Sequence, residues 1–506
     1  MEKLMIKVHE KDNVAIAVKD IQKGTCVADG TFALTDIPQA HKIALTDIPK
    51  GGEVIRYGVV LGTMEEDAPA GTWINEENLQ MAPAPDLDSM SFATNIARKL
   101  PEPPVLTWEG YRNPNGGPAG TRNILAINTT VQCVSGVLNA ALARIRIELL
   151  PKYPNVDAAI AINHPYGCGV AIDAPEAKVP QRILRNIATH PNFGGQFMLL
   201  SLGCEKFTPE RFCEFAPELN TPENVIVLQD ISGYDKMISA VMEMAEKKLV
   251  ALNKRHRETL PLSDLLVGMQ CGGSDAFSGI TANPTAGYAA DLIVSGGGTV
   301  LFSEVTEVRD GVQFIAERCI DESVGKRLVE EMKYYDAYLQ AGGVDRGANT
   351  TPGNKKGGLS NIIEKSMGSI AKSGTSPIVE VLSPGEKPSK HGEIFAATPA
   401  SDFVCGPCQL ASGIGLQVFM TGRGTPYGLA AAPVIKVCSR SEMKKKWPDI
   451  IDFDAGPAAT GQKTIAQQGE ELFRLIIDVA SGRQKPFTEK YGLVNDLCIF
   501  NPAPIT

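Results

Sequence analysis

The sequence predicts a multi-domain fold: a small all-β N-terminal unit, then α/β units built on parallel sheets, the last of them the largest. Three observations carry this. Residues 1 to about 80 hold short β-rich runs broken by Gly, Asp and Pro; the next two dozen are proline-rich; beyond about 107, continuous apolar runs alternate with helical periodicity. Apolar strands separated by helices are what a parallel sheet covered on both faces requires. A length of 506 residues, at roughly 150 per domain, gives two to four domains, enough to bury large cores without disulfide staples.

In the first unit the runs at 15–18, 42–45 and 53–57 read as strands, close together and separated by turn residues. Ala-Leu-Thr-Asp-Ile-Pro at 33–38 recurs at 44–49; two copies are too few for a solenoid and mark a pair of similar strand–turn units or a coincidence. Pro83, Pro85, Pro101, Pro103 and Pro104 remove donors and stiffen the backbone, so 83–106 reads as an extended linker. Strands follow at 124–128, 158–162, 197–200 and 225–228, with helices at 134–150 and 175–188. After an amphipathic stretch at 236–255, a second series places strands at 265–269, 299–302, 378–382, 394–397, 416–420 and 434–437. The expected units are therefore 1–82, 83–106, 107–258 and 259–506.

Composition excludes several classes. With 49 Lys+Arg against 58 Asp+Glu the net charge is -9, and no basic cluster marks a nucleic-acid surface; Lys444, Lys445 and Lys446 read as a solvated helix face. No stretch approaches the ~18 apolar residues of a spanning helix. The start, with mixed charges and no apolar core, is not a secretory signal, so the expectation is a cytoplasmic protein that engages neither membrane nor nucleic acid. Eleven scattered cysteines then read as thiols in a reducing compartment.

Ligands of open parallel sheets bind beyond the carboxyl ends of strands, and Cys133, Cys168, Cys204, Cys271 and Cys405 fall at or near such ends. Each serves either as a small apolar filler of a tight turn or as a metal ligand, since iron and zinc favour thiolate and imidazole. Cys405 and Cys408 form a CxxC, but no second CxxC completes a four-ligand zinc site. His164 and Cys168 put an imidazole and a thiol in one turn. Glu304 and Glu307, straight after a strand, either hold a divalent cation or cap the following helix. The glycine-rich runs at 353–358 and 422–428 match neither a P-loop nor GxGxxG. Together with 271–284 they offer Arg, Lys, Asn, Ser and Thr beside close-approaching backbone, a lining suited to a polyhydroxylated anion.

These residues resemble a known family. His164-Pro-Tyr-Gly-Cys-Gly, Leu202-Gly-Cys-Glu-Lys, Gly268-Met-Gln-Cys-Gly-Gly-Ser-Asp, Ser303-Glu-Val-Thr-Glu-Val-Arg-Asp, Pro352-Gly-Asn-Lys-Lys-Gly-Gly-Leu, Ala397-Thr-Pro-Ala-Ser-Asp-Phe-Val-Cys and Thr421-Gly-Arg-Gly-Thr-Pro-Tyr-Gly are similar to the altronate/galactarate dehydratases. His41-Lys42, the segment at 55–58 and the ending from Phe500 extend the match over essentially the whole chain. Cys408 departs from the family pattern, which leaves the CxxC as such without a role. The resemblance implies a β-clip (SAF-type) N-terminal domain, a long linker, a middle α/β domain used for homodimerisation, and a C-terminal Rossmann-like variant carrying a metal site. It also implies dependence on Fe2+, and the related sulfolactate lyases carry the N-terminal and main parts on separate subunits.

The implied reaction is loss of water from galactarate to give 5-dehydro-4-deoxy-D-glucarate, a sugar diacid being the small-molecule partner. Metal candidates are Cys271, Asp275, Glu304 and Cys405. Substrate-binding candidates are Ser274, Arg309, Asn354, Lys355 and Arg423. Acid/base candidates are His41, His164 and Lys356, with His41 requiring the β-clip to fold over the main cleft. Altronate or another sugar acid is the rival substrate, and a non-catalytic sugar-acid-binding protein the rival class.

Overall fold

The computed structural model describes residues 4–28, 30–96, 98–503 and 505. The N-terminal unit is all β. An antiparallel sheet joins Met5–Ile6, Val14–Ala17, Lys42–Ala44 and Trp73–Ile74, and a second joins Glu53–Arg56, Val59–Met64 and Leu79–Met81. Val14, Ala44, Val54, Leu61 and Ile74 pack between them. The repeated hexapeptide is a pair of equivalent strand–turn units. Ile37 and Ile48 each make an antiparallel bridge, to Ile21 and Ala68, while Asp36 and Asp47 each accept a backbone N–H at 2.8 Å, from Lys23 and Ala70.

Among the described residues, 83–106 contain one short helical turn, Leu87–Ser89, and run along the C-terminal unit as a strap. Backbone N–H groups of Ala93 and Asn95 donate to the carbonyls of Ala316 and Glu317, and Lys333 pairs with Asp88. The prolines remove the donors a strand or helix would need.

Thr107–Gly110 pairs antiparallel with Glu258–Pro261, so the middle unit begins and ends in one ribbon. Its sheet consists of β1 (Ile124–Thr129), β2 (Ala158–Ile162), β3 (Leu199–Ser201) and β4 (Val225–Val227), parallel and in the order β2-β1-β3-β4. Helices α1 (Ser135–Arg144) and α2 (Lys178–Ala188) connect β1 to β2 and β2 to β3, and α3 (Tyr234–Leu252) follows β4. The helix expected over 134–150 stops at Arg144 and widens into the turn Ile145–Leu149, just ahead of Pro151, which cannot continue the hydrogen-bond ladder.

The C-terminal unit is a seven-stranded parallel sheet of β5 (Leu266–Cys271), β6 (Thr299–Phe302), β7 (Ile378–Leu382), β8 (Glu393–Ala396), β9 (Leu416–Thr421), β10 (Val434–Cys438) and β11 (Phe453–Asp454), ordered β7-β8-β6-β5-β9-β10-β11. β5, β6, β8, β9 and β10 are buried along their length. Helices α4 (Ala282–Ser295), α5 (Glu322–Ala341), α6 (Pro352–Lys356), α7 (Ile362–Ile370), α8 (Asp402–Ser412) and α9 (Ile465–Ala480) cover it. One apolar core runs from the middle sheet through the ribbon into this sheet, including Ile124, Trp108, Leu260 and Val267. The small β unit followed by parallel α/β units is the architecture expected from the sequence. Among the described residues no helix is long and apolar enough to cross a membrane.

Candidate metal centre

β5 and β6 are neighbours at the middle of the large sheet, so the side chains at their carboxyl ends meet where open parallel sheets present ligands. Cys271 ends β5. Glu304 lies two residues past β6 with φ of 81°, a left-handed backbone that costs a non-glycine residue about 1–2 kcal/mol. The turn Val305–Glu307 brings Glu307 beside it. From α7 and the turn that follows, Lys365, Ser369 and Lys372 stand four and three residues apart, the spacing of one helix face.

The ligand atoms of Cys271, Glu304 and Glu307 lie within 4.8 Å of one another. Cys271 Sγ is 3.3 Å from Glu307 Oε2 and 3.9 Å from Glu304 Oε2. Lys372 Nζ donates to Glu304 Oε2, to Cys271 Sγ at 3.3 Å and to Ser369 Oγ at 2.8 Å. Lys365 Nζ pairs with Glu307 Oε1 at 2.8 Å. All five charged or thiol groups are buried, and the two ammonium groups are the counter-charges that make the cluster tolerable there.

Burial pushes the Cys271 thiol up to about 12 against the pull of Lys372. It pushes Glu304 up to about 8, with the Glu307 charge adding to it. Burial also opposes ionisation of Glu307, but Lys365 and Lys372 overcome it and hold that carboxyl below its usual range. Lys372 is raised although burial disfavours its charge, because Cys271, Glu304 and Glu307 surround it. Glu304 Oε1 is buried and has no hydrogen-bond partner among the described residues. Two carboxylates and a thiol with an oxygen left over fit a divalent cation of intermediate hardness. No other such trio converges this closely among the described residues.

Around this centre the structure gathers most of the residues singled out in the sequence. Ser274 is buried, its Oγ is without a partner, and its carbonyl accepts from Asn354 Nδ2 at 2.9 Å. Asn354 closes the capping box of α6 with Thr351. Lys355 is half-buried and Lys356 exposed at the end of that helix. A Cβ on Gly353 would lie 3.9 Å from Arg423 Nε, and the Arg423 guanidinium carries no hydrogen bond among the described residues. Asp275 is fully engaged in its own loop. Its carboxylate accepts from the Phe277 and Ser278 N–H groups and the Ser278 and Ser439 hydroxyls, and it forms an ion pair with Arg440 at 3.0 Å. Cys405 and Cys408 are buried inside α8; burial and then the Glu304 charge push the Cys405 thiol up.

Two candidates stand elsewhere. His164 lies in the middle unit, its Nε2 at 2.8 Å from the Thr129 carbonyl and its Nδ1 accepting from Tyr166 N–H. Burial lowers it to about 4. Arg309 turns away from Glu307 to bind Asp336 and the Pro85 carbonyl of the strap.

The β unit is bolted over this rim by buried charges. Lys42 Nζ donates to the Gly358 carbonyl at 2.7 Å and to Glu364 Oε2 at 2.8 Å; Arg56 pairs with Glu364 Oε1 and donates to the Ala276 carbonyl. Gly358 has φ of +90°, and a Cβ there would sit 2.1 Å from the Ala40 carbonyl oxygen. This close approach carries His41 to the rim. Trp73 Nε1 donates to His41 Nδ1 at 3.1 Å, and the Lys356 backbone beside the ring favours its charged form. Burial, then the Lys42 charge, lowers His41.

Sequence reasoning missed Lys365, Ser369 and Lys372. Their signal was present as a polar stripe at helical spacing in a segment otherwise rich in Ile, Met, Gly and Ala. A fully buried lysine betrays itself only through partners that fold in from other strands.

Fold and site together define an α/β enzyme with a candidate thiol–carboxylate metal site at the carboxyl ends of central parallel strands. The chain matches three family models in order: the altronate/galactarate dehydratase SAF domain over residues 3–82, the D-galactarate dehydratase/altronate hydrolase second domain over 110–253, and the D-galactarate/altronate dehydratase C-terminal domain over 262–505. It is 53% identical to the galactarate dehydratase (L-threo-forming) of Escherichia coli K12, covering 99% of this chain and 97% of that relative. It is 34% identical to the altronate dehydratase of Bacillus subtilis 168, covering 95% and 96%. With the (2R)-sulfolactate sulfo-lyase subunit beta of Chromohalobacter salexigens the identity is 27%, over 74% of this chain and 93% of that one. The chain belongs to the galactarate/altronate dehydratase family of hydro-lyases.

Proposed function

We propose that the chain removes water from galactarate to give 5-dehydro-4-deoxy-D-glucarate, and that Cys271, Glu304 and Glu307 hold Fe2+ for this reaction. The observation that carries the reading is the buried Cys271–Glu304–Glu307 group beneath a cation-lined rim, in a chain aligned end to end with a galactarate dehydratase. A proton beside a carboxylate is barely acidic, because its removal concentrates charge on the carboxylate oxygens. When bound, a divalent cation supplies a Lewis acid that disperses this charge.

The chain's own residues do the rest. Arg423 and Lys355 offer two cations, matching the two carboxylates of a diacid, while Asn354 and the unpartnered Ser274 hydroxyl face substrate hydroxyls. Lys356 Nζ takes the α-proton and returns it to the departing β-hydroxyl, which leaves as water, so one amine balances the elimination. The resulting enol then tautomerises to the keto acid. His41 fixes the Lys356 backbone and is a positioning residue. Cys405 and Asp275 are the further candidate donors, Cys405 beside Glu304 and Asp275 through the loop that carries Ser274. His164 acts on loop geometry in the middle unit, and Arg309 on the strap.

The test is formation of keto acid from galactarate, glucarate and altronate under anaerobic conditions with Fe2+. Galactarate is expected to turn over fastest; faster turnover of altronate, whose single carboxylate needs one cation fewer, overturns the substrate assignment. Full turnover by Lys356→Ala overturns its role, and an unchanged pH profile in His41→Ala overturns positioning by His41. We further place the enzyme in the cytoplasm, where its eleven free thiols stay reduced. We also infer a homodimer formed through the middle unit; a single-chain mass by light scattering overturns that.

A further inference from the structure

Three thiols remain outside this chemistry. Cys133, Cys168 and Cys204 are exposed, and they follow β1, β2 and β3, three adjacent parallel strands of the middle sheet. A cysteine that merely fills a turn is buried, as are Cys213, Cys271, Cys319, Cys405, Cys408 and Cys438. Of the four exposed cysteines in the chain, three stand at this one edge and the fourth is Cys26.

The loops carrying them are fastened to one another. Gly167, beside Cys168, has φ of +114°, and a Cβ there would lie 1.9 Å from the Thr130 carbonyl oxygen and 3.3 Å from Val131 Cα, so the β2 loop lies directly on the β1 loop. The Gly167 carbonyl accepts N–H groups of Lys206 and Phe207 at 3.0 and 3.2 Å, tying in the β3 loop. Glu205, next to Cys204 and buried, accepts from the Thr130 hydroxyl, from Ser201 Oγ at 2.5 Å and from Gly203 N–H at 2.7 Å. Each cysteine is thus within three residues of a bond to a neighbouring cysteine loop. Cys133 also sits in the turn Gln132–Val134 immediately ahead of α1.

We propose that Cys133, Cys168 and Cys204 bind an iron–sulfur cluster of the 4Fe–4S type, each thiol giving up its proton and forming one Fe–S bond. Spacing distinguishes this from a single ion. A tetrahedral zinc draws its thiolates to about 3.8 Å apart, whereas these three sulfurs do not share the 4.8 Å neighbourhood that gathers the Cys271 group. A cluster holds its thiolates on separate irons and spreads them wider. Three protein thiolates leave the fourth iron open to an oxygen ligand such as water, a hydroxyl or a carboxylate. Exposure of the edge makes the cluster oxygen-labile.

The proposal is read by metal and sulfide content, independently of any dehydratase activity. Full-length protein purified anaerobically should be brown and carry about four acid-labile sulfides per chain. Cys133→Ser, Cys168→Ser and Cys204→Ser should each lose most of that sulfide while Cys26→Ser and Cys271→Ser retain it. Wild-type protein without sulfide, both as purified and after anaerobic loading with ferrous and ferric salts plus sulfide, overturns the proposal. So does stoichiometric zinc in the absence of sulfide, or a triple Cys→Ser variant that keeps its sulfide.

Discussion

Glu364 is the single carboxylate that compensates two buried cations, and Glu364→Gln tests what holds the β unit over the rim. Lys42, Arg56 and Glu364 are 0–1% exposed; burial disfavours the charge on both cations, and with all three groups ionised the net charge is +1. The substitution keeps the shape and one acceptor but raises the charge to +2 with no carboxylate paired directly to either cation, Glu76, Asp12 and Asp275 acting only from further away. Removing one partner of a buried ion pair costs about 3–5 kcal/mol, and here two like charges are left facing each other. At about 1.4 kcal/mol per factor of ten, docking of the β unit weakens by roughly a thousandfold. Urea melts followed through Trp73 fluorescence would read this as an early transition of the N-terminal unit. Trypsin would cut the strap, which contains Arg98 and Lys99, far faster than in the native protein. Undocking within about 1 kcal/mol of native, together with native proteolysis rates, would refute the reasoning. It would mean that the apolar contacts of Ile363 with the β unit suffice alone.

Gly358→Ala should loosen the same interface by steric means, since its Cβ would meet the Ala40 carbonyl at 2.1 Å; normal strap proteolysis in that variant would contradict the close approach. His164 and His190 are both lowered to about 4 by burial from an unfolded value near 6.5. The unfolded chain therefore binds protons first as pH falls. The stability these rings contribute is complete above about 6.5 and is lost toward pH 4, by about 3 kcal/mol for each ring. Urea midpoints between pH 7 and 4 would test this, and a flat profile would exclude it. Chelation should abolish turnover, and Cys271→Ser and Glu304→Gln should each weaken Fe2+ binding at this trio at least tenfold with acid-labile sulfide unchanged; undiminished Fe2+ affinity in both would remove them from the ligand set.

The strands and their order of appearance were legible because a buried parallel strand is an unbroken apolar run. Those at 158–162, 299–302 and 378–382 coincide with the structure. Cys271, Glu304 and Glu307 were legible because each follows such a run. Lys372 was not, since its reason for being buried lies in residues up to 101 positions away. The fastening of the β unit was equally hidden: Lys42 and Arg56 look like surface residues until Glu364, more than 300 positions later, supplies their counter-charge. The direction in which Arg309 turns depends on a strap carbonyl 224 positions earlier, which no local pattern announces.

The ribbon of Thr107–Gly110 with Glu258–Pro261 has a topological consequence. Gly110 and Glu258 face each other directly across an antiparallel pair, a distance a two-residue hairpin turn can bridge. The 147 residues between them thus form a cassette whose entry and exit coincide. It can in principle be excised, or exchanged for an unrelated domain, without altering the register of any strand in the seven-stranded sheet. What such a graft would have to replace is the apolar floor that Ile124 and its neighbours lend to the common core.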